Sequence, residues 1–322
     1  MTIHTPIQIG GISLKNRLIM APLQQYAGTP EGFTTNHHTE FYSRRANHVS
    51  LVIVESTAVS DSGRLFNNDI GIFTDHHIES LKKITEAVHA KQTPIFIQLS
   101  HGGRKSSPLV TKKLMAPSSI AYDEHYGLPE AMSLADIQQI AEQYRLAAKR
   151  SVMAGFDGIE IHAAHGFLIH QFLSPLSNQR IDSYGGSPEN RSRFLKDVLT
   201  VIRGEVGKNY PITIRVSATD YVKGGLFPED IARMLQPLES ELDAVHVSTG
   251  GLVSAQPNHI YPAYQVPHAA IIKQHLKIPV IAVGIINSRS LADQIIQDQL
   301  ADIIAIGRPL IEDPDFAAQL LQ

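Results

Sequence analysis

The sequence contains no cysteine and no tryptophan among its 322 residues. Without thiols it can form no disulfide framework, no thiolate zinc or iron–sulfur site, and no cysteine nucleophile. It also lacks a strong charge of either sign, because 28 basic residues stand against 31 acidic ones, for a net charge of −3. A near-neutral chain carries no electrostatic footprint for nucleic acid or an anionic membrane. We therefore expect neither as a partner.

Long hydrophobic runs are missing as well. The longest apolar stretch, residues 278–286, falls far short of the roughly 20 residues that a membrane-spanning helix needs. The first eleven residues show no basic segment followed by an apolar one, so we expect no signal peptide. With 43% hydrophobic and 18% charged residues, the composition is that of a globular protein. The sequence predicts a soluble, cytoplasmic protein.

The sequence alternates short β-rich apolar runs with segments of helical periodicity. Ser133 with Asp136 has the spacing of a capping box, and Ser288 is a candidate N-cap. Such an alternation, with strands apolar enough for burial on both faces, predicts a (β/α)₈ TIM barrel that forms a single domain over residues 1–322. A doubly wound open sheet is the alternative, weakened because no run ends in a glycine-rich dinucleotide fingerprint. The predicted strands are residues 17–22, 50–55, 94–99, 156–162, 211–216, 242–247, 278–284 and 302–307.

Two kinds of connection add to this prediction. Residues 5–14 alternate in polarity around Gly10 and Gly11, which predicts a β-hairpin that closes the bottom of the barrel. Two long loops, residues 101–132 and 166–187, follow predicted strands. Loops of this kind lie on the catalytic face of a barrel.

Polar residues recur at the carboxyl ends of four predicted strands. Because side chains alternate along a strand, residues two apart share a face and point into one space. Barrel active sites lie at this end of the strands. Glu160 and Thr213 have an equally simple structural role as hydrogen-bonding groups, but four strands with the same feature favour a site. The residues are Gln98 and Ser100, Glu160 and His162, Thr213, Arg215 and Ser217, and His246 and Ser248.

The last two predicted strands end in glycine. Gly284 ends the seventh, and Gly307 with Arg308 ends the eighth. Loops at these positions, with free backbone N–H groups and a helix N-terminus, form a common phosphate site of barrels, and Arg308 can add a bidentate grip. In the alternative, the glycines only make turns and Arg308 pairs with Glu312.

Two other barrel chemistries fit poorly. A Schiff-base aldolase needs a lysine near a strand end, and the predicted strands offer none. A metal-dependent hydrolase needs several histidine and carboxylate ligands at the barrel mouth, whereas the first strand ends in Met-Ala-Pro-Leu. We interpret His162 and His165 as facing one ligand oxygen, and we predict no metal. The pairs His37–His38 and His76–His77 are expected to be solvated.

Four blocks of the sequence carry a family resemblance. In the order of the chain they are LKNRLIMAP at 14–22, QLSHGGRK at 98–105, HAAHGFLIHQFLSP at 162–175 with its continuation to 191, and IGR at 306–308. They resemble the old yellow enzyme family of flavin-dependent ene-reductases, in particular its bacterial thermophilic-like branch. The resemblance spans essentially the whole chain.

The resemblance implies a noncovalent FMN that NADPH or NADH reduces, and a small-molecule substrate: an enone with an activated C=C bond, a quinone or a nitro compound. It also implies roles at the flavin ring for residues on the first, second, third and fifth strands, with a cation stabilising the anionic reduced form. The implied cofactor-binding residues are Ala21, Pro22, Leu23, Gln24, Ser56, Gln98 and Arg215 at the ring, and Gly284, Gly307 and Arg308 at the phosphate.

The resemblance also assigns the substrate end of the site. His162 and His165 match the pair that binds the electron-withdrawing oxygen of the substrate, where two N–H donors stabilise developing negative charge. Tyr26 matches a substrate-binding and catalytic tyrosine, although an aromatic packing role with a solvated hydroxyl fits it too. Phe167 occupies the position of the tyrosine that usually protonates the α-carbon.

Three departures from the family pattern shape our expectations. Gln24 stands where many branch members have cysteine, so we expect an altered flavin potential and no thiol regulation. Phe167 has no transferable proton, so either water or a hydroxyl such as that of Tyr26 supplies it, or alkene reduction is slow. The alternatives are therefore an FMN-dependent nitro or quinone reductase with weak ene-reductase activity, or a flavin-binding protein with little catalysis. We expect a homo-oligomer, but no C-terminal arginine reaching into a neighbouring site.

Overall fold

The computed structural model describes residues 1–111 and 113–322. In chain order the strands are β1 Ile7–Ile9, β2 Ile12–Leu14, β3 Leu18–Met20, β4 Val52–Ala58, β5 Ile95–Ser100, β6 Met115–Ala116, β7 Glu130–Ala131, β8 Gly158–Ala163, β9 Ile212–Ser217, β10 Ala244–Ser248, β11 Val280–Ala282 and β12 Ile303–Ile306. Eight of them are parallel and close into a barrel, in the order β3, β4, β5, β8, β9, β10, β11, β12 and back to β3. The (β/α)₈ prediction is confirmed, and each predicted run overlaps one barrel strand.

Helices follow the barrel strands and surround them. Both capping predictions are confirmed: Ser133 Oγ accepts from the Asp136 N–H, and Ser288 Oγ accepts from the Leu291 N–H. The α-helices are α1 Asn36–Arg45, α2 His77–His89, α3 Leu134–Met153, α4 Leu168–Leu173, α5 Pro188–Arg191, α6 Arg193–Val206, α7 Pro228–Leu235, α8 Val266–His275, α9 Arg289–Gln297, α10 Pro309–Glu312 and α11 Phe316–Leu321. Shorter 3₁₀ turns cover Asp61–Gly63, Gly103–Lys105 and Gln236–Glu241.

Apolar residues form two clusters, one on each side of the barrel wall. The larger cluster joins the outward faces of the strands to the helices. The smaller one fills the inside of the barrel near its amino-terminal end and includes Phe96 together with Ile9 and Leu14 of the hairpin. The tip of the hairpin lies against the loops that lead into β9 and β10, since a Cβ at Gly10 would be 2.9 Å from Asp243 Oδ1. The hairpin therefore plugs the barrel bottom, as predicted.

Two histidines expected in solvent are buried. His38 and His77 are 0% and 1% exposed, while their neighbours His37 and His76 are exposed. Burial lowers the pKa of His38 to about 4. The prediction was wrong for these two residues because consecutive positions on a helix lie about 100° apart, so one member of each pair faces the core.

Strand ends differ from the predictions where the backbone is irregular. The predicted second strand stopped at residue 55, but β4 continues to Ala58 past a β-bulge between Val54 and Ser56. The prediction ended this strand where apolar residues give way to polar ones, whereas strand pairing continues through Ser56 and Thr57. Across residues 1–111 and 113–322, no helix combines the length and apolar character that membrane crossing requires.

Candidate active site

A buried polar belt lines the carboxyl-terminal half of the barrel interior. Cross-strand pairing sets Gln98 beside Glu160, and His162 beside Arg215, which in turn pairs with His246. The Glu160 carboxylate is fully buried and accepts from Gln98 Nε2 at 2.7 Å and from His246 Nδ1 at 2.9 Å. Because an ionised carboxylate only accepts, Nδ1 of His246 carries a hydrogen. Glu160 thus has the structural role that was predicted as one alternative: its carboxylate orients the side chains of Gln98 and His246.

Arg215 carries the positive charge of this belt. Its side chain is 9% exposed, and within the described ranges its buried Nε atom has no hydrogen-bond partner. Burial lowers the pKa of Arg215, and the Glu160 charge opposes that effect. A guanidinium titrates so high that it stays charged here. Such a buried donor without a partner is suited to an anionic or acceptor group of a ligand.

A cavity of about 460 Å³ opens next to Arg215. Its walls come from the ends of β3, β9, β10, β11 and β12, which is the carboxyl-terminal face of the barrel. Seven of the predicted cofactor residues line it: Ala21, Pro22, Leu23, Arg215, Gly284, Gly307 and Arg308.

Two further lining residues were missed by the sequence analysis. Tyr264 and Gln265 lie in the loop after β10, and Gln265 Nε2 donates to Thr249 Oγ1 at 2.7 Å. No motif marks this loop, so the sequence offered no signal for it. A Cβ at Gly284, which has φ of +115°, would lie 3.1 Å from the Gln265 side chain. Gly284 therefore keeps this wall of the cavity open.

Arg308 and Glu312 both line the cavity at its outer end. The alternative interpretation paired them with each other, but the ion pairs of residues 1–111 and 113–322 include none between these two side chains. Arg308 is exposed at the start of α10. Its guanidinium is thus available for an anion at the cavity mouth.

The two histidines of the HAAH segment meet at the end of β8. Their nearest nitrogens, His162 Nε2 and His165 Nδ1, are 3.4 Å apart, and His165 Nε2 lies 2.8 Å from Ser248 Oγ. Burial, followed by the nearby charge of Arg215, holds the pKa of both imidazoles well below the usual range. His162 Nδ1 accepts from the Ala164 N–H at 3.3 Å, which leaves the ring hydrogen on Nε2. The pair therefore consists of neutral imidazoles, and at the 3.4 Å contact the Nε2–H of His162 faces Nδ1 of His165.

A left-handed turn presents His165. Its φ is +58° and that of Gly166 is +77°, and the His165 N–H donates to Ser217 Oγ at 2.9 Å. A Cβ at Gly166 would lie 2.2 Å from the carbonyl oxygen of Gly251, so only glycine allows this approach. Lys105 Nζ donates to the carbonyls of both His165 and Gly251, each at 3.0 Å. Contacts from three elements thus fix the histidine backbone.

Phe167 and Lys105 complete the surroundings of the pair. The ring centroid of Phe167 is 4.7 Å from that of His162, and Lys105 Nζ is 5.3 Å from the centroid of Phe167. Lys105 was missed as a functional residue although it belongs to the QLSHGGRK block. Its place in that block was a usable signal, but the sequence analysis considered lysines only at strand ends. Lys105 instead ends the turn that follows β5.

The remaining predicted residues lie outside the cavity wall. Tyr26 is 51% exposed, and its ring contacts that of Phe66 edge to face at 4.8 Å. Gln24 Nε2 donates to Asp69 Oδ1 at 2.6 Å. Ser56 is 8% exposed and pairs with Gln98 across β4 and β5. The structure thus brings the histidines, Phe167 and seven of the predicted cofactor residues to one face, whereas Tyr26 packs on Phe66 and does not line the cavity.

Comparisons with known proteins give the family. A model described as the NADH:flavin oxidoreductase / NADH oxidase family matches residues 2–322. The chain is 42% identical over 320 residues to the NADPH dehydrogenase of Bacillus subtilis (strain 168), covering 98% of this chain and 93% of that protein.

Two solved structures are similar across the whole chain. The old yellow enzyme homologue from Zymomonas mobilis has a TM-score of 0.87 and 30% identity, covering 100% of this chain and 92% of that one. Morphinone reductase in complex with tetrahydroNAD has a TM-score of 0.85 and 31% identity, covering 100% and 90%. The resemblance predicted from the sequence motifs is therefore confirmed. The chain belongs to the NADH:flavin oxidoreductase / NADH oxidase family, which includes the old yellow enzymes, and is an NAD(P)H-dependent flavin oxidoreductase that uses FMN.

Proposed function

We propose that the protein transfers a hydride to the activated C=C bond of small enones or related electrophiles. The observation that carries this proposal is the pair of neutral imidazoles, His162 and His165, whose facing nitrogens are 3.4 Å apart. The pair lies beside two residues of the cavity wall, since His162 is paired with Arg215 across the strands and His165 contacts Ser248. The orphaned Nε of Arg215 and the cavity volume of about 460 Å³ fit a flavin nucleotide. FMN, once reduced by NADPH or NADH, supplies the hydride.

The imidazole pair would bind the electron-withdrawing oxygen of the substrate. Negative charge grows on that oxygen as the β-carbon gains a hydride, and preorganised N–H donors stabilise it without having to reorient. His162 keeps its hydrogen on Nε2, and Ser248 can accept from or donate to His165 Nε2, so His165 can present a hydrogen on Nδ1. Holding the substrate in one orientation adds the proximity effect.

Arg215 would stabilise negative charge on the cofactor. It is buried beside the cavity. Among the described residues, Glu160 supplies the negative charge that stabilises its guanidinium. Electrostatic effects of this kind are strong in a site from which water is excluded. Gly284, Gly307 and Arg308 would hold the phosphate at the outer end of the same cavity.

A second candidate function is FMN-dependent reduction of nitro compounds or quinones with weak ene-reductase activity. Phe167 favours it, because its ring packs against His162 and offers no transferable proton to a carbon atom. Flavin binding with little catalysis is the third possibility and follows from the same residue.

Turnover by the FMN-loaded protein tests these functions against each other. We expect reduction of cyclohexenone with NADPH or NADH, and a loss of about 100-fold or more in His162→Ala and in His165→Ala, because each removes one donor to the substrate oxygen. His76→Ala, on the exposed member of a histidine pair, is the matched control. Turnover with a nitro compound or quinone alone would favour the second function. A colourless protein that takes up no FMN would contradict all three.

Gln24 is the residue through which we expect this site to differ in redox potential. Its amide donates to Asp69, whose pKa burial raises to about 7, and an amide neither ionises nor oxidises. Gln24→Cys should therefore shift the flavin midpoint potential in a spectroelectrochemical titration, whereas Gln297→Cys at an exposed site should leave it unchanged. An identical potential in Gln24→Cys would contradict the prediction.

The remaining expectations stay predictions about the whole molecule. We propose that residues 1–322 act as a single FMN-binding domain, that the chain forms a homo-oligomer in the cytoplasm, and that it binds neither nucleic acid nor a membrane. Sedimentation of the purified protein measures the oligomeric state directly.

A further inference from the structure

Reduction of a C=C bond requires a proton as well as a hydride. Phe167 packs against the imidazole pair without an acidic hydrogen, and Tyr26 is 51% exposed with its ring against Phe66. Lys105, in contrast, brings an ammonium group next to the residues of the pair, since its Nζ donates to the backbone carbonyl of His165 and lies 5.3 Å from the ring centroid of Phe167.

Within residues 1–111 and 113–322, one hydrogen of the Lys105 ammonium group has no hydrogen-bond acceptor. Two of the three N–H bonds point to the carbonyl oxygens of His165 and Gly251, each at 3.0 Å. Nζ also lies 4.4 Å from the ring centroid of Tyr122 and 5.3 Å from that of Phe167. Lys105, Phe167 and Tyr122 are all partly exposed, so solvent reaches this group of side chains. The Phe167 ring contacts His162 on one side and Lys105 on the other, so a substrate held by the histidines over this ring would lie near the ammonium group.

The charges around Lys105 make it a stronger acid than an ordinary lysine. Burial and the neighbouring guanidinium of Arg104 lower its pKa to about 8, and Asp123 opposes them only weakly. The other titratable groups that face it are Tyr122 and the imidazoles of His162 and His165, which are neutral. At neutral pH the amine is thus protonated and still able to release a proton.

We propose that Lys105 donates the proton to the α-carbon of the substrate, a role that rests on the ene-reductase function proposed above. Hydride addition at the β-carbon breaks the C=C π bond and leaves its electron pair on the α-carbon and the carbonyl oxygen. In the same step, as this charge develops, an N–H bond of Lys105 breaks, its proton forms the α-carbon–hydrogen bond, and its electron pair stays on Nζ. The neutral amine then regains a proton from solvent water.

A purely positioning role for Lys105 is the alternative, because the same amine holds the turn at His165. Lys105→Arg separates the two roles. A guanidinium keeps the positive charge and the hydrogen bonds to the carbonyls, but it does not release a proton near neutral pH. Phe167→Tyr distinguishes the two roles in a second way. It places a phenol hydrogen at the histidine pair but restores none of the contacts that Lys105 makes.

The test compares four proteins loaded with FMN and reduced before mixing: wild type, Lys105→Met, Lys105→Arg, and Lys105→Met combined with Phe167→Tyr. Flavin absorbance follows their reoxidation by cyclohexenone or by a quinone, whose oxygens take protons from water. We expect both single variants to lose about 100-fold more rate with the enone than with the quinone, since only the enone needs a proton on carbon. Phe167→Tyr should restore the enone rate. The wild-type enone rate should fall as the pH rises through about 8, the pKa of Lys105.

The outcomes that overturn the role are distinct. An enone rate retained in Lys105→Arg shows that the residue only positions the turn, and an equal loss with both acceptors shows a general defect of the site. If Lys105→Met retains the enone rate, the donor role is excluded. It is also excluded if the wild-type protein reacts with the quinone but not with the enone. Reoxidation of the wild type by neither acceptor would instead overturn the proposed function.

Discussion

The two halves of the barrel interior use the same strands for opposite purposes. On β5, Phe96 belongs to the apolar cluster that the hairpin seals, whereas Gln98, two residues further on, donates to the buried carboxylate of Glu160. Both side chains point into the barrel, because residues two apart on a strand share a face. A step of about 7 Å along one strand therefore separates a packing residue from a site residue.

The difference between the two halves shows how the barrel can contain a site whose buried polar groups reduce the free energy of unfolding. The upper half buries Glu160, Arg215 and two histidines, and such burial costs free energy wherever a hydrogen bond is missing, as at Nε of Arg215. The lower half contains no such requirement and contributes stability by packing alone. We expect variants in the lower half to change unfolding, and variants in the upper half to change ligand binding as well.

The largest effect is expected for Phe96→Ala in the lower half. Phe96 is fully buried, and loss of its ring should destabilise the protein by about 3–5 kcal/mol. Urea unfolding measures this change, with Phe227→Ala, which removes a half-exposed ring, as the control. FMN affinity of the folded protein should stay near wild type. A much weaker FMN affinity at low temperature would break the proposed separation of the two halves.

Glu160→Gln should have a smaller effect on stability and a clear one on the site. The amide keeps the shape of the carboxylate but offers one acceptor oxygen where Gln98 and His246 use two. We expect a loss of about 1.5–3 kcal/mol, measured by urea unfolding, and a changed FMN affinity because Arg215 loses its neighbouring charge. Glu40→Gln, at an exposed position, serves as the control. Unchanged FMN affinity would show that the belt is only structural.

Gly10→Ala in the hairpin should have the smallest effect of the three. Its φ is +54°, and the added Cβ would meet Asp243 Oδ1 at 2.9 Å, so we expect a loss of about 1–2 kcal/mol. Gly127→Ala is a matched control, because Gly127 also has a positive φ but open space around it. Equal losses in the two variants would mean that the contact with the barrel adds nothing.

Much of the fold follows from the sequence because its signals are local. Short β-rich apolar runs located every barrel strand, and the alternation around the glycine pair located the hairpin. The errors arose where a local pattern could not show the neighbours: β4 continues past its bulge, and His38 is buried by residues distant in sequence.

The site was predictable only in part, for a related reason. Alternation along β8 and β9 correctly grouped His162 with Glu160 and Arg215 with Thr213, since parity is a property of one strand. Gln265 and Lys105 depend on where long loops settle, which no spacing within those loops specifies. The conformation of His165 likewise depends on Gly251, more than eighty residues away.

The plug formed by the hairpin limits the routes by which small molecules reach the site. With Ile9 and Leu14 filling the lower end, the cavity beside the polar half of the barrel opens at the carboxyl-terminal mouth. Under the function proposed above, the nicotinamide and the electron acceptor would both enter from this side, so we expect them to compete for the same opening. We therefore expect an excess of either one to slow turnover by keeping the other out.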